Sequence, residues 1–230
     1  MLCLLLEDAM IDGVHIWRAA LDEAGWPGAE RLPAAERERA TAFLREEACR
    51  RWVAARWALR RVLGSYLDEP AAEIKLVEGE RGKPRLGEGN RIQFNLSHSS
   101  GLALVAVTEG RAVGVDVELI EPRRDLAGLA ERALEPDEAA AVREATPARQ
   151  ATVFYSAWVR HEARLKCLGT GLAAKTNRRF STPEGENRRL ANEDGLLAVS
   201  ELDVAPGYAA AVAVAAAEVG PIDCRSLRAG

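Results

Sequence analysis

The chain has 230 residues, 48% hydrophobic and 29% charged, as expected of a globular protein with its own core in one large or two small domains. A net charge of −4 argues against a general nucleic-acid-binding protein, and no apolar run reaches the roughly 18 residues of a membrane-spanning helix. The four cysteines are far apart and show no Cys-x-x-Cys spacing, so we expect no zinc site and a cytoplasmic protein with reduced thiols.

The first half of the chain is predicted to contain one long helix and several short strands. An apolar strand is expected at 1–6, which lacks the basic start of a signal peptide. Pro33 opens a helical pattern that runs to Leu63, with Gly64 as its C-terminal cap. A Gly- and Pro-rich turn region follows at 79–89. After it come strands at 92–96 and 102–107, a turn at 108–111, and the strand around Asp116.

The long helix of this half is rich in arginine. Residues 37–61 contain eight arginines and three glutamates. Such a stretch is usually a solvated helix face, but it can also receive phosphate groups.

The second half repeats the same order of elements. A long helix is predicted over 150–168, stopped by Gly169, and a polar, irregular surface segment over 175–194 follows. Two strands at 196–202 and 208–216 are expected to close the fold as an antiparallel pair. The sequence therefore favours an α+β fold with two pseudo-equivalent halves, 1–110 and 111–230, which is consistent with an internal duplication.

Two carboxylates lie two residues apart in the apolar run from Ala112 to Leu119, which is predicted to be a strand. Side chains alternate along a strand, so Asp116 and Glu118 share one face, beside Gly114, while the valines share the other. Carboxylates roughly 7 Å apart repel each other unless they are solvated or bridged by a cation. The pair therefore indicates either a Mg²⁺ site or a strand edge that faces water.

Two short segments before this strand combine turn residues with possible anion ligands. Ser97 and His98 lie in a Ser- and Gly-rich stretch between two strands, and Lys83 and Pro84 follow Gly82. Each segment is compatible with an ordinary turn. Each could also direct hydrogen-bond donors at a phosphate.

The second long helix carries an acid and a base four residues apart. Glu162 and Lys166 could form a surface salt bridge, or they could face a cleft from the edge of the buried stripe. That stripe is predicted to consist of Phe154, Trp158, His161, Leu165 and Leu168, with His161 as a packed side chain.

Four motifs together resemble the 4′-phosphopantetheinyl transferases, in particular the larger, monomeric class that activates peptide and polyketide synthetases. They are Gly82-Lys83-Pro84, Asn95-Leu96-Ser97-His98-Ser99, Gly114-Val115-Asp116-Val117-Glu118, and Trp158-x-x-x-Glu162-Ala163-x-x-Lys166-x-x-Gly169-x-Gly171-Leu172. Each is weak alone, but all four occur in the order and approximate spacing of the family. The resemblance implies two pseudo-twofold-related halves, each a small antiparallel sheet packed with one long helix.

The resemblance also implies a reaction. Coenzyme A binds with Mg²⁺, and its 4′-phosphopantetheine arm passes to a serine of a carrier protein, with release of 3′,5′-ADP. Asp116, Glu118 and Glu162 would hold the metal. Glu162 would be the base for the attacking serine, and Lys166 would neutralise charge on the phosphate; His98 completes the expected catalytic set.

The same resemblance predicts the coenzyme contacts. Ser97, His98 and Lys166 would meet the phosphates. Lys83 and Pro84 would lie near the adenine end, and Arg51 would meet the 3′-phosphate. Arg56, in the same segment as Arg51, completes this set.

Two further positions concern the surroundings of the metal. Glu138 matches a further family acid near the metal. Many members carry lysine where this chain has His161. Either His161 is protonated beside the phosphates, or Arg160 or the arginine-rich helix supplies the missing charge.

The expected partner is an apo acyl or peptidyl carrier protein. Carrier proteins are acidic around the modified serine, so a basic surface over 123–134 is predicted to receive them. We expect a monomer that binds neither nucleic acid nor membranes. Two alternatives stay open: a protein that binds coenzyme A or carriers without turnover, and a Mg²⁺-dependent nucleotide hydrolase.

Overall fold

The computed structural model describes residues 11–79, 83–123, 125–169, 188–192 and 195–230. The strand predicted at 1–6 lies outside these residues, as do residues 175–187 and 193–194 of the predicted polar segment. Residues 188–192 of that segment form a strand, so the expectation of irregular structure is wrong there. The described strands are β1 (Val14–Ala20), β2 (Val77–Glu78), β3 (Pro84–Arg85), β4 (Ile92–Ser99), β5 (Leu102–Glu109), β6 (Val113–Leu119), β7 (Arg188–Asn192), β8 (Gly195–Glu201), β9 (Tyr208–Val214) and β10 (Ile222–Leu227). The helices are α1 (Ala34–Thr41), α2 (Glu46–Leu67), α3 (Leu126–Ala133), α4 (Pro136–Glu144) and α5 (Pro147–Leu168).

The first sheet has the strand order β10-β1-β5-β4 and is mixed. Strand β5 pairs with both β1 and β4 in the antiparallel sense, but β10 runs parallel to β1, with Val14 opposite Ile222. The prediction of an antiparallel sheet for this half is therefore wrong at one edge. The chain returns from the second half after Pro221, whose carbonyl accepts from the Val14 N–H, so β10 starts beside the start of β1.

The second sheet has the order β6-β9-β8-β7 and is antiparallel throughout its described strands. The predicted pairing of β8 with β9 is confirmed. The pair does not close the fold, however, because β9 also pairs with β6, placing Asp116 opposite Ala211. The expected division at 110/111 separates the two sheets except for β10.

The two sheets face each other between two outer helices of 22 residues each. Apolar side chains of β1 and β5 meet those of β6 and β9 in the central core. The outer face of the first sheet packs against α2, and α5 covers the second sheet together with α3 and α4. The α+β fold with two halves is confirmed.

The helix predicted over 33–63 is divided into α1 and α2. The chain leaves the helical path at Ala42, and Phe43 packs against Trp52 with ring centroids 5.5 Å apart. Helix α2 also continues past Gly64 to Leu67, because a left-handed Asp68 ends it. At the end of α5 the prediction is right: Gly169 is left-handed, with φ of 68°.

The predicted turn region 79–89 includes part of a short hairpin, in which β2 pairs with β3. No helix among the described residues is long and apolar enough to cross a membrane.

Candidate active site

Strand β6 presents its carboxylates to α5 and its valines to the central core. Val113, Val115 and Val117 are fully buried between the sheets, as the alternation predicts. Asp116 is buried on the opposite face, and Glu118 beside it is partly buried. The water-facing alternative is therefore wrong for this strand.

Gly114 allows α5 to approach the backbone of β6 directly. A Cβ at this position would lie 2.1 Å from the Ala163 carbonyl oxygen and 2.3 Å from the Cys167 amide nitrogen, both in α5. The space expected beside the acids is thus filled by the helix backbone. This contact brings Glu162 and Lys166 to the carboxylates of β6.

Lys166 and Ser97 both bind one oxygen of Asp116. The Lys166 Nζ lies 2.6 Å from Asp116 Oδ1, and the Ser97 hydroxyl donates to the same atom at 2.8 Å. Lys166 Nζ is also 2.9 Å from Ser97 Oγ. The other oxygen, Asp116 Oδ2, is buried and has no hydrogen-bond partner among the described residues.

Glu162 is the second acid with an open oxygen. Its side chain is buried, and Oε1 lacks a hydrogen-bond partner within the described part of the chain. Burial raises the pKa of Glu162 to about 7, helped by the charges of Asp116 and Glu118 and opposed by Lys166. We call Asp116, Glu118 and Glu162 the carboxylate cluster, because Lys166, one turn from Glu162 on α5, binds Asp116, which lies two residues from Glu118 on β6.

Glu118 is held by a hydroxyl from the other half of the molecule. The Ser99 hydroxyl donates to Glu118 Oε2 at 2.7 Å and accepts from the Leu119 N–H at 3.1 Å. Burial raises the pKa of Glu118, and the Asp116 charge adds to this effect.

The carboxylate cluster fits a hard cation in its chemistry. Three carboxylates provide oxygen donors, and the open oxygens of Asp116 and Glu162 are the groups that a cation would satisfy. In the described residues, however, no three His, Cys, Asp or Glu side chains, these three included, lie close enough together to hold a metal ion as they stand. The predicted metal role of these three residues stays a prediction.

A cleft of about 440 Å³ lies beside Lys166, and its other lining residues all belong to the first half. Pro84, Ser97 and His98, three of the predicted coenzyme contacts, line it together with Lys166. The pKa of His98 is lowered because the cleft wall removes water from the ring and Lys166 is nearby.

Two arginines also line the cleft, together with two acids. Arg39 and Arg56 both line it, and the guanidinium carbon of each lies 6.0 Å from the Trp52 ring centroid. Arg56 is paired with Glu36, which also receives Arg60. Arg39 was not among the predicted contacts, although it belongs to the arginine-rich stretch that pointed to phosphate binding.

Lys83 and Arg51 are not free to face the cleft in this structure. The Lys83 ammonium donates to the Lys166 carbonyl at 2.7 Å and to the Val113 carbonyl at 3.1 Å, and burial lowers its pKa. Arg51 is bound to Asp22 at 2.8 Å and to Glu47 at 2.6 Å. Their predicted coenzyme contacts stay predictions, and each would need to exchange these bonds.

Glu138 contacts α5 on the side that carries Arg160, not on the side that carries Glu162. Glu138, on α4, pairs with Arg160 at 3.3 Å, and Arg160 also binds Glu201. Because Arg160 and Glu162 are two residues apart, they face opposite sides of the helix. Glu138 is therefore an ion partner of Arg160, and its predicted place near the metal stays a prediction.

His161 does not supply positive charge to the cleft. Burial and the nearby Arg164 lower its pKa, which favours the neutral ring. Arg160 is bound to two acids. Of the three expected sources of positive charge, the arginine-rich helices α1 and α2 are the ones with cations that line the cleft.

Comparisons with known proteins agree with this site. Residues 112–213 match the 4′-phosphopantetheinyl transferase superfamily, and residues 17–110 match a family described as 4′-phosphopantetheinyl transferase, N-terminal. The 4′-phosphopantetheinyl transferase HetI of Nostoc sp. is 38% identical over 168 residues, which cover 70% of this chain and 71% of the relative. The 4′-phosphopantetheinyl transferase AcpT of Escherichia coli is 35% identical over 155 residues, covering 67% and 74%.

A Bacillus subtilis protein, also named 4′-phosphopantetheinyl transferase, is 29% identical over 154 residues, covering 62% of this chain and 67% of its own length. The chain belongs to the 4′-phosphopantetheinyl transferase superfamily. The resemblance seen in the four sequence motifs is confirmed, and the protein is a transferase.

Proposed function

We propose that this enzyme transfers the 4′-phosphopantetheine arm of coenzyme A to a serine of an apo acyl or peptidyl carrier protein, in the cleft beside the carboxylate cluster. The observation that carries the proposal is Glu162: a buried carboxylate with an open oxygen, a pKa of about 7, and Lys166 nearby. A base of this pKa can take a proton at neutral pH.

The reaction is a phosphoryl transfer in which a P–O bond forms and another breaks. The serine oxygen attacks the pyrophosphate phosphorus that carries the pantetheine arm, and the bond to the bridging oxygen breaks to release 3′,5′-ADP. Glu162 takes the hydroxyl proton, directly or through a water. Lys166 stabilises the charge on the phosphate under attack and on the leaving oxygen.

Asp116, Glu118 and Glu162 would together hold Mg²⁺ at the pyrophosphate. When bound there, Mg²⁺ supplies positive charge that neutralises the phosphate oxygens. The open oxygens of Asp116 and Glu162 support this assignment. In the structure Lys166 neutralises Asp116, and Ser97 and Ser99 fix one oxygen each of Asp116 and Glu118.

The coenzyme phosphates would meet the two arginines that line the cleft. Arg39 and Arg56 are placed there by α1 and α2, and His98 lines the cleft near Lys166. We retain Lys83, Pro84 and Arg51 as proposed contacts at the nucleotide end.

The carrier protein would dock on the basic surface over 123–134. Arg123 and Arg132 are exposed, and their acidic neighbours Glu121 and Asp125 are 3.8 Å and 3.6 Å away. Such exposed, loosely paired cations can be recruited by an acidic partner at little cost. We further propose that the enzyme acts as a cytoplasmic monomer.

Intact-mass analysis of mixed components tests the proposal. The protein is incubated with Mg²⁺, coenzyme A and several apo-carriers, and each carrier is weighed. A phosphopantetheine adduct on one carrier is the expected result, and its loss on omission of Mg²⁺ would support the metal role. Nucleotide release without an adduct would indicate a hydrolase. Coenzyme binding without either product would indicate a non-catalytic binding protein.

A further inference from the structure

The two sheets meet at their open edges without pairing through the backbone. Strand β4 ends the first sheet and β6 ends the second, and the described strands of the two sheets form no common ladder. Side chains of β4 replace that ladder. Asn95, Ser97 and Ser99 share one face of β4 because they alternate along the strand, and we call their bonds to β6 the seam.

The seam satisfies both the backbone and the carboxylates of β6. Asn95 Oδ1 accepts from the Val115 N–H at 2.8 Å in a fully buried position. Ser99 Oγ accepts from the Leu119 N–H at 3.1 Å, two pairs of residues further along. An edge strand left unpaired inside a protein would bury polar groups without partners, so these bonds fix where β6 lies against β4.

Ser99 does more than satisfy the strand edge. Because its oxygen already accepts from the Leu119 N–H, its single proton is available to Glu118, and it donates to Oε2 at 2.7 Å. One hydroxyl therefore ties the orientation of the Glu118 carboxylate to the backbone register of β6. Ser97 makes the corresponding bond to Asp116 two residues earlier.

We propose that Asn95 and Ser99 are positioning residues that hold β6 in register between the halves and thereby orient the carboxylates of β6. The proposal rests on the proposed function for its effect on turnover. It gives the second serine of the Asn-x-Ser-His-Ser segment a task distinct from contact with the coenzyme. Ser99 and Asn95 are not among the residues that line the cleft.

Three substitutions and two matched controls test this role. Ser99→Ala removes the hydroxyl, Ser99→Thr keeps it, and Asn95→Ala removes the amide acceptor. Asn90→Ala is the control for Asn95, since Asn90 Oδ1 accepts from the Ile92 N–H at 2.8 Å within one half. Ser65→Ala is the control for Ser99, since Ser65 donates only to the Val62 carbonyl of its own helix at 2.7 Å.

Three measurements are made on each variant: kcat and KM for coenzyme A, Mn²⁺ affinity by calorimetry, and hydrogen exchange of the Val115 and Leu119 amides. We expect Ser99→Ala to lower kcat and Mn²⁺ affinity by about tenfold each, with KM for coenzyme A unchanged. Ser99→Thr should restore most of both losses. Asn95→Ala should speed exchange at Val115, and both controls should behave as wild type.

The role would be refuted if Ser99→Ala matched the Ser65→Ala control in kcat and Mn²⁺ affinity, or if Ser99→Thr failed to rescue. It would also be refuted if Asn95→Ala left exchange at Val115 unchanged. If the wild-type protein transferred no phosphopantetheine at all, the proposed function would fail. Mn²⁺ affinity and amide exchange would then still decide whether the seam positions the carboxylates.

Discussion

The two long helices carry charges into the protein in opposite ways. Helix α2 is rich in arginine, and its buried cation is fully partnered: Arg60 binds Glu36 at 2.9 Å and donates to the carbonyls of Ala71 and Ile74. Helix α5 buries Glu162 beside two further acids, with an oxygen that has no partner among the described residues. The helices are equal in length and both pack against a sheet.

This difference distinguishes a buried charge that stabilises the fold from a buried charge that serves the reaction. Folding favours buried ions that are paired, as around Arg60, because an unpaired buried charge is costly. A carboxylate kept buried and open, as at Glu162, costs stability and is retained where chemistry requires it. We therefore expect substitution of the paired Arg60 in α2 to change stability, and substitutions facing the carboxylate cluster from α5 to change turnover.

Glu162→Gln should give the largest effect. The amide keeps the shape of the side chain but cannot take a proton, so we expect the transfer rate to fall by about 10²–10⁴-fold. The free energy of unfolding should not decrease, because the amide does not have to be buried as an ion. The initial rate of adduct formation and a denaturant titration measure the two effects. A near-normal rate would remove Glu162 from the mechanism.

Lys166→Ala should reduce both the transfer rate and the free energy of unfolding. Loss of the cation should lower the transfer rate by about 10²-fold. Because Asp116 then loses its ion partner, the free energy of unfolding should fall by about 2 kcal/mol. His161→Ala serves as the comparison in the same helix: its ring is held neutral by burial, so we expect a milder loss of activity. Equal losses at His161, Lys166 and Glu162 would contradict this ranking.

Arg60→Met should show the opposite pattern from Glu162→Gln. The substitution leaves Glu36 with Arg56 alone and removes the donors to two buried carbonyls. We expect the free energy of unfolding to fall by about 3 kcal/mol, and the transfer rate of the folded enzyme to stay close to that of wild type. Chemical denaturation and rate measurements well below the unfolding transition check both parts.

The pH dependence of stability should have opposite signs at Glu162 of α5 and at Asp22, which pairs with two arginines of α2. The folded-state pKa of Glu162, about 7, lies above its ordinary value of 4.5, so its contribution to stability is complete below pH 4.5 and is lost as pH rises to about 7. Hydrogen bonds from Arg51 and Arg50 lower the pKa of Asp22 to about 2, so its contribution is present above pH 3.8 and is lost as pH falls toward 2.

Thermal unfolding in the presence of a chelator measures these contributions. Between pH 4.5 and 7, wild type should lose up to about 3 kcal/mol relative to Glu162→Gln. Asp22→Asn should differ from wild type by less than about 1 kcal/mol, because this ion pair is exposed and screened by solvent. Parallel curves for wild type and Glu162→Gln would show that Glu162 has an ordinary pKa.

Local patterns predicted much of the fold and the centre of the site. Alternation along β6 separated the carboxylates from the core valines, and Gly169 marked the end of α5. The same rules were wrong at Gly64, where glycine has a packing reason: a Cβ there would lie 2.5 Å from the Glu69 carbonyl oxygen. A residue type alone does not distinguish a helix cap from a close approach.

Long-range contacts could not be read from local patterns. No helix-breaking residue lies between Ala42 and Arg45, so the division of the first helix depends on Phe43 reaching Trp52. The pairing of β10 with β1 joins residues about 200 positions apart. Likewise, whether Lys83 faces a ligand or the carbonyls of β6 and α5 depends on how the two halves meet.

The central claim is that the open carboxylate of α5 performs the chemistry while the paired arginine of α2 holds the structure. A single-turnover experiment with apo-carrier, coenzyme A and Mg²⁺, read by intact mass, tests it on Glu162→Gln and Arg60→Met under conditions where both are folded. We predict that adduct formation slows by about 10²-fold or more in Glu162→Gln and is close to wild type in Arg60→Met. A wild-type rate in Glu162→Gln, or equal slowing in both variants, would contradict the claim.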